Sequence, residues 1–327
     1  MKQAVIDNQK IVIKDVKTLS LDDRTGAIVK VLGCGLCGSD IVKLVHNISK
    51  DGTVLGHEIV AEIVEINSKT NFKIGDTIVT SHHIPCGECV YCKHGNVSMC
   101  EHFKKTNIRP GGFSEFVYLS EEHLENVAHI KPKNLTNIEA SFYEPLGCIV
   151  RAVKRTKLLK NDTALVIGLG SIGILTAQAL KSFGMNVLGC DLIKERIEVL
   201  KSLGINAIDV RELKEDFKAD GIFMTSGADK AIDTALKYVR NGGKILVFSS
   251  TPSDNSAYSN NEIYYRELTV LGSYSPSPDD LKESLELLKT GKVNVKGIST
   301  EYLLKDIQKA FDDTIHNKIL KAYIKIN

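Results

Sequence analysis

Residues 163–191 read TALVIGLGSIGILTAQALKSFGMNVLGCD. An aliphatic run leads into Gly168-x-Gly170-x-x-Gly173. An apolar stretch of helical length follows, and a second short strand closes on Asp191. Alone, G-x-G-x-x-G says little, because glycine is common. Between a strand and a helix, with an acid about 20 residues on, it marks a dinucleotide-binding βαβ unit. The first glycine makes the tight turn, and the second lets the backbone approach a pyrophosphate. The third lets the helix pack on the sheet, and the helix N-terminus, with Ser171 and Ile172 in its first turn, faces the anion. Asp191 would accept hydrogen bonds from the adenosine ribose and repel a 2′-phosphate, which favours NAD over NADP. Lys194 and Arg196, just beyond, could still meet a phosphate.

Downstream, strands and helices keep alternating through IKERIEVLKSLG, ADGIFMTS, DKAIDTALKYVRNG and KILVFSS. That order predicts a doubly wound parallel sheet of the Rossmann kind, with helices on its faces. Upstream, the first third is different. KIVIKDV, GAIVKVLGCGL, TVLGHEIVAEIVEI, DTIVTSHH and FSEFVYLS are rich in Val and Ile and broken by Gly, Asp and Asn. They read as short antiparallel strands of a mainly β domain. Between the two, NLTNIEASFYEPLGCIVRAVKRT (134–156) reads as a helix. The polar stretch TPSDNSAYSNN (251–261) reads as a mobile loop.

The bulk numbers exclude several classes. At 327 residues the chain is too long for one ordinary core. A net charge of +2 gives no reason to invoke nucleic acid or an anionic membrane. The N-terminus lacks the apolar segment of a signal peptide, and no window reaches the ~18 apolar residues of a spanning helix. The expectation is a soluble, cytoplasmic protein. There thiols stay reduced, so eight cysteines point to metal or catalysis before disulfides.

Four of them stand in PCGECVYCKHGNVSMC as Cys86, Cys89, Cys92 and Cys100. Four thiolates so close in sequence suit a closed tetrahedral zinc site, which staples a loop and leaves no position open for chemistry. An iron–sulfur run would carry a proline after its fourth cysteine, and none is present. A second pair, Cys34 and Cys37 in CGLCGSD, can be a redox couple or part of a metal site on its own evidence.

Taken together, CGLCGSD (34–40), LGHE (55–58), IGD (74–76), PCGECVYC (85–92), GGFSE (111–115), EPLG (144–147) and GLGSIG (168–173) decide between them. In this order they resemble the zinc-dependent medium-chain dehydrogenases, especially the sorbitol-like polyol and threonine branches, over nearly the whole chain. The resemblance implies a GroES-like catalytic domain with a zinc lobe, formed by 1–138 and 275–327, and an NAD-binding Rossmann domain over 139–274. It implies two Zn²⁺ per chain, one structural and one catalytic. Cys37 and His57 match catalytic ligands. Glu58 and Glu144 match the two acids of the site, one a ligand and the other close by. Cys148, one helical turn after Glu144, is the rival third ligand. Cys34 matches no ligand and falls to packing. Ser39 matches the hydroxyl that takes the alcohol proton. Val42 stands where many relatives keep a relay histidine.

His82 and His83 match the strand end that lines the substrate pocket. Neighbouring strand residues point to opposite faces, so only one can enter. Glu115 and Tyr274 are weaker pocket candidates, Arg151 stands where relatives often hold a histidine near the cofactor, and Arg266 is expected to sit between the domains or to pair with an acid. The expected activity is NAD-linked oxidation of a secondary alcohol on a polar, polyol-like substrate. The alternatives are a threonine-type amino-alcohol dehydrogenase and a non-catalytic nucleotide-binding protein. Relatives of this kind assemble as homodimers or homotetramers.

Overall fold

A computed structural model of the chain describes residues 1–228, 230–249 and 258–327. Residues 251–257, most of the stretch expected to be a mobile loop, lie outside the described residues. The chain divides into two compact units. One comprises Met1–Gly147, Pro276–Lys289 and Val295–Asn327; the other comprises Cys148–Ser275 and Thr290–Asn294.

The first unit is built on a seven-stranded sheet in the order Ser299–Leu303, Lys321–Lys325, Gly26–Gly35, Glu58–Asn67, Thr77–Val79, His129–Ile130, with Phe116–Ser120 also paired to Gly26–Gly35. Its pairings are antiparallel except that between Ser299–Leu303 and Lys321–Lys325. The alternation of Val and Ile places Val29, Val31, Ile59, Ala61 and Ile63 in one apolar core with Phe113 and Phe311. The closing strand reaches this core from the far end of the sequence: Ile324 pairs with Cys34 and Tyr323 with Gly35.

The second unit carries six parallel strands in the order Asn206–Asp209, Asn186–Asp191, Thr163–Ile167, Ala219–Met224, Val239–Val247, Thr269–Gly272. Numbered within the unit, this is 3-2-1-4-5-6, the doubly wound order whose ligands bind outside the carboxyl ends of the strands. Residues 290–294 are held to it by a reciprocal amide pair. Asn294 N donates to Gln178 Oε1 at 2.7 Å, and Gln178 Nε2 donates to Asn294 O at 3.0 Å.

Residues 134–156, read as one helix, form two, Asn137–Ala140 and Tyr143–Thr156. Thr136 caps the first, its Oγ1 accepting from Glu139 N while the Glu139 carboxylate accepts from Thr136 N at 2.8 Å. Pro145 lies in the first turn of the second, where its missing N–H leaves no bond unmade. The break between units falls after Gly147, later than the expected 138, because this first turn belongs to the β unit. Ser284 Oγ donates to Tyr143 O at 2.8 Å, and a Cβ on Gly147 would stand 2.9 Å from Leu281 Cδ2. Among the described residues no helix is long and apolar enough to cross a membrane.

Candidate functional site

The register of one strand pair assembles the first donor group. Gly35 lies opposite Glu58 where Gly26–Gly35 ends and Glu58–Asn67 begins. Cys37 follows that pair and His57 precedes it, so residues distant in sequence meet at one sheet end. Cys37, His57 and Glu58 place their donor atoms within 4.8 Å of one another.

Asp40 fixes the geometry. It sits fully buried in the first turn of helix Gly38–Val45. Its Oδ2 accepts from Cys37 N at 3.3 Å, and its Oδ1 accepts from Gly56 N at 3.4 Å and lies 3.5 Å from His57 Nδ1. A carboxylate at Nδ1 leaves Nε2 of the imidazole to face a metal, the arrangement metal-bound histidines use. Burial works against a charge on His57, but the Asp40 carboxylate and the Cys37 sulfur outweigh it and raise the pKa well above the ordinary value. Burial likewise opposes ionisation of Asp40, yet its charge and hydrogen-bond contacts with His57 lower the pKa.

Glu58 already has a partner. Lys321 Nζ lies 2.6 Å from its Oε2 and 2.9 Å from its Oε1, with both side chains no more than 4% exposed. Lys321 also donates to Leu36 O at 3.2 Å. Although burial disfavours the ammonium, Glu58, Cys37 and Glu144 raise its pKa. The carboxylate lies so close to the opposite strand that a Cβ on Gly35 would stand 2.0 Å from Glu58 Oε2. A side chain at 35 would therefore push the Glu58 carboxylate out of its place beside Lys321.

A second donor group shares His57. Donor atoms of His57, His82 and Glu144 also lie within 4.8 Å of one another. The His82 ring is 4.5 Å from that of His57, and its Nδ1 is buried without a hydrogen-bond partner. His83 turns the other way. Its Nδ1 meets Thr106 O and its ring lies 4.7 Å from that of Phe103, beside the cysteine lobe. Burial pushes its pKa down to about 4.

Cys148 is absent from the donor groups found among the described residues, whereas Glu144 is present. Cys34 is buried, its Sγ directed at Gly35 O at 3.4 Å, and burial raises its pKa well above the ordinary thiol range. Ser39 is exposed in the first turn of helix Gly38–Val45, and His46 is exposed at its end. Three weaker candidates have structural partners. Glu115 accepts from Lys2 N at 2.7 Å, and Arg151 donates to Tyr274 O at 2.6 Å and Ser275 O at 2.9 Å. Arg266 pairs with Glu262 at 2.6 Å. Tyr274 itself is 62% exposed.

In the lobe, the donor atoms of Cys86, Cys89, Cys92 and Cys100 all lie within 4.8 Å of one another. Three sulfur pairs are 3.5, 3.6 and 4.0 Å apart. Tetrahedral zinc with arms of about 2.3 Å requires sulfurs about 3.8 Å apart, so the cluster is shaped for the ion. Burial and neighbouring thiols push Cys92 up to about 12. Against its own burial, hydrogen bonds from the Cys86 and Phe103 backbone pull Cys100 down to about 6. Adjacent thiolates repel, and a divalent ion relieves that repulsion. Cys89→Ser should lower the melting temperature while activity per folded molecule stays within about twofold, checked by thermal melts and active-fraction titration.

In the glycine turn, Gly168 has φ +95°, a conformation other residues rarely adopt. A Cβ on Gly173 would stand 1.8 Å from Gly168 O, whereas one on Gly170 would meet nothing within 4 Å. The close-packed third glycine and the open space at the second, ahead of helix Ser171–Ser182, fit a pyrophosphate cradle. Asp191 also braces this turn. Its Oδ2 accepts from Leu169 N at 2.6 Å, and its Oδ1 accepts from Leu192 N at 2.7 Å and Ile193 N at 2.9 Å. Arg196 Nη1 stands 3.8 Å away. Three of the carboxylate's roughly four acceptor sites are thus occupied by backbone. Gly173→Ala should abolish nucleotide binding, read by cofactor fluorescence titration.

Acids, an imidazole and a thiol that could hold a metal, on a β unit joined in one chain to a doubly wound unit, fit a zinc-binding alcohol oxidoreductase. The comparisons agree. The alcohol dehydrogenase GroES-like domain model matches residues 23–129, and the zinc-binding dehydrogenase model matches 171–290. A sorbitol dehydrogenase from Halalkalibacterium halodurans is 33% identical over 90% of this chain and 90% of its own. A D-arabitol-phosphate dehydrogenase from Enterococcus avium is 29% identical over 94% of this chain and 91% of its own. The solved alcohol dehydrogenase TADH from Thermus sp. ATN1 has a TM-score of 0.88 at 24% identity, with 100% of both chains covered. The chain belongs to the zinc-dependent medium-chain alcohol/polyol dehydrogenase family. It is an alcohol oxidoreductase, and its substrate is a small-molecule alcohol.

Sequence reasoning passed over Asp40 and Lys321. Asp40 carried a signal, since an acid three residues after a helix N-cap closes a capping box. Lys321 carried none, because nothing in KAYIKIN distinguishes a buried lysine from an exposed one.

Proposed function

We propose that the chain interconverts a secondary alcohol of a polar, polyol-like substrate (a sugar alcohol, a cyclitol or a related compound) and its ketone, using NAD and two zinc ions. The observation that carries this is that two donor groups, Cys37–His57–Glu58 and His57–His82–Glu144, share His57, with Glu58 already paired to Lys321. In this reading Cys37, His57 and Glu144 hold the catalytic ion, while Glu58 stays with Lys321. When bound, zinc supplies Lewis-acid polarisation of the substrate hydroxyl, and the nicotinamide supplies a hydride acceptor.

The protein's own groups do the rest. Asp40 holds His57 in one orientation. Ser39 takes the substrate proton and, being exposed, passes it to water. Val42 offers no onward relay, and His46→Ala should leave the pH–rate profile intact; loss of the basic limb would place His46 in the proton path.

The polarity of His82 beside the donor groups supports a hydroxylated substrate, as do the polyol names of the relatives. NAD preference rests on Asp191 and should show as at least tenfold tighter binding than NADP. Thr269–Gly272 is a sheet edge on which a second copy can pair, which supports a homodimer or homotetramer. Reduced cysteines in the lobe suit the cytoplasm.

A panel of sugar alcohols, cyclitols and amino alcohols, followed by nicotinamide absorbance on protein of measured zinc content, tests the reading. Turnover of a polyol with two zincs per chain supports it. A preference for threonine-like substrates moves the chain to the amino-alcohol branch. No oxidation of any member by fully loaded protein overturns it.

A further inference from the structure

His82 lies among the donor groups with one ring nitrogen unspent. Its backbone is anchored, its carbonyl accepting from His123 Nε2 at 3.2 Å. Its ring is packed between His57 at 4.5 Å and His83 at 4.0 Å, so the side chain has little freedom to turn away. Its Nδ1 is shut off from water and makes no hydrogen bond. A buried polar nitrogen left unpaired bears the full cost of losing its water, and native proteins rarely tolerate that without a reason. The donors around it could hold a metal, since His82, His57 and Glu144 place ligand atoms within 4.8 Å of one another.

We propose that His82 is a protein ligand of the catalytic ion, completing with His57 and Glu144 a set of two imidazoles and one carboxylate. This rests on the reading of the pocket as a catalytic metal site. Catalytic zinc uses such a donor set in other folds. Of the two donor groups that share His57, one holds a carboxylate already ion-paired with Lys321 at 2.6 Å, whereas the one with Glu144 and His82 leaves that pair intact and gives the unpaired His82 nitrogen a partner. Cys37 stays beside His57 as a further donor. Catalytic zinc sites sometimes expand to five ligands, so a fourth protein donor would not by itself exclude a substrate oxygen.

The test uses Zn²⁺ alone, in competition with a chromophoric chelator, on the full wild-type chain and on His82→Phe, which keeps an aromatic ring in the stack. The expected result is two ions in the wild type. In the variant the lobe ion is retained and the second is bound at least tenfold more weakly. Equal affinity for the second ion in folded His82→Phe overturns the ligand role and leaves the catalytic-metal reading standing. A wild type that takes up the lobe ion alone overturns both. Should the variant fail to fold, wild-type crystals grown with Zn²⁺ decide. An anomalous peak about 2.0–2.1 Å from a His82 nitrogen supports the proposal, and a peak with His82 beyond bonding distance overturns it.

Discussion

Lys321→Met should lower stability by about 3–5 kcal/mol, because it strands a buried carboxylate. Glu58 is 1% exposed, and Lys321 is the cation that meets both of its oxygens. For a chain of this size the loss corresponds to a fall in melting temperature of about 4–7 °C. The double variant Lys321→Met with Glu58→Gln removes both charges and should recover much of the loss, since replacing a buried pair together is often neutral. A single variant as stable as the wild type would mean that Glu58 finds water or another partner. Thermal melts of the two variants and the wild type, with the lobe zinc content held equal, make the comparison.

Cys37→Ser should weaken binding of the second zinc by more than about a hundredfold, beyond the range that outer partners of metal ligands produce. Turnover should fall in step, while the four-cysteine lobe keeps its ion. Serine preserves the size of the side chain and the helix cap, so folding is spared and metal chemistry alone is changed. Zinc analysis after mild chelation, paired with initial rates, gives both readings. Full turnover with the second site empty would remove the metal from the chemistry.

The sequence carried much of the architecture because the two units write themselves in different periods. Strand–turn–helix alternation from residue 163 and short Val/Ile runs before residue 130 leave few other folds. The residues whose donor atoms cluster stood out through their local motifs, as did the glycine turn. What was hidden depends on long-range pairing. That a side chain at 35 would displace Glu58 follows from a carboxylate on the opposite strand. That Lys321 is buried follows from its strand lying against Gly26–Gly35. Which of His82 and His83 reaches His57 follows from how Thr106 claims the other. Asp191 shows the same limit at the nucleotide turn, where its place after the second strand was evident but its backbone partners were not.

The late arrival of Lys321 orders events during synthesis. Its Nζ answers a carboxylate made 263 residues earlier. At about 5–20 residues per second, Glu58 waits tens of seconds on the ribosome before its counter-charge exists. Over that interval the carboxylate has water in place of its cation, and the buried pair forms only once the strand Lys321–Lys325 has been made. A chain stopped before Lys321 would keep Cys37, His57 and Glu58 but lose both the strand paired to Gly33–Gly35 and the cation beside Glu58.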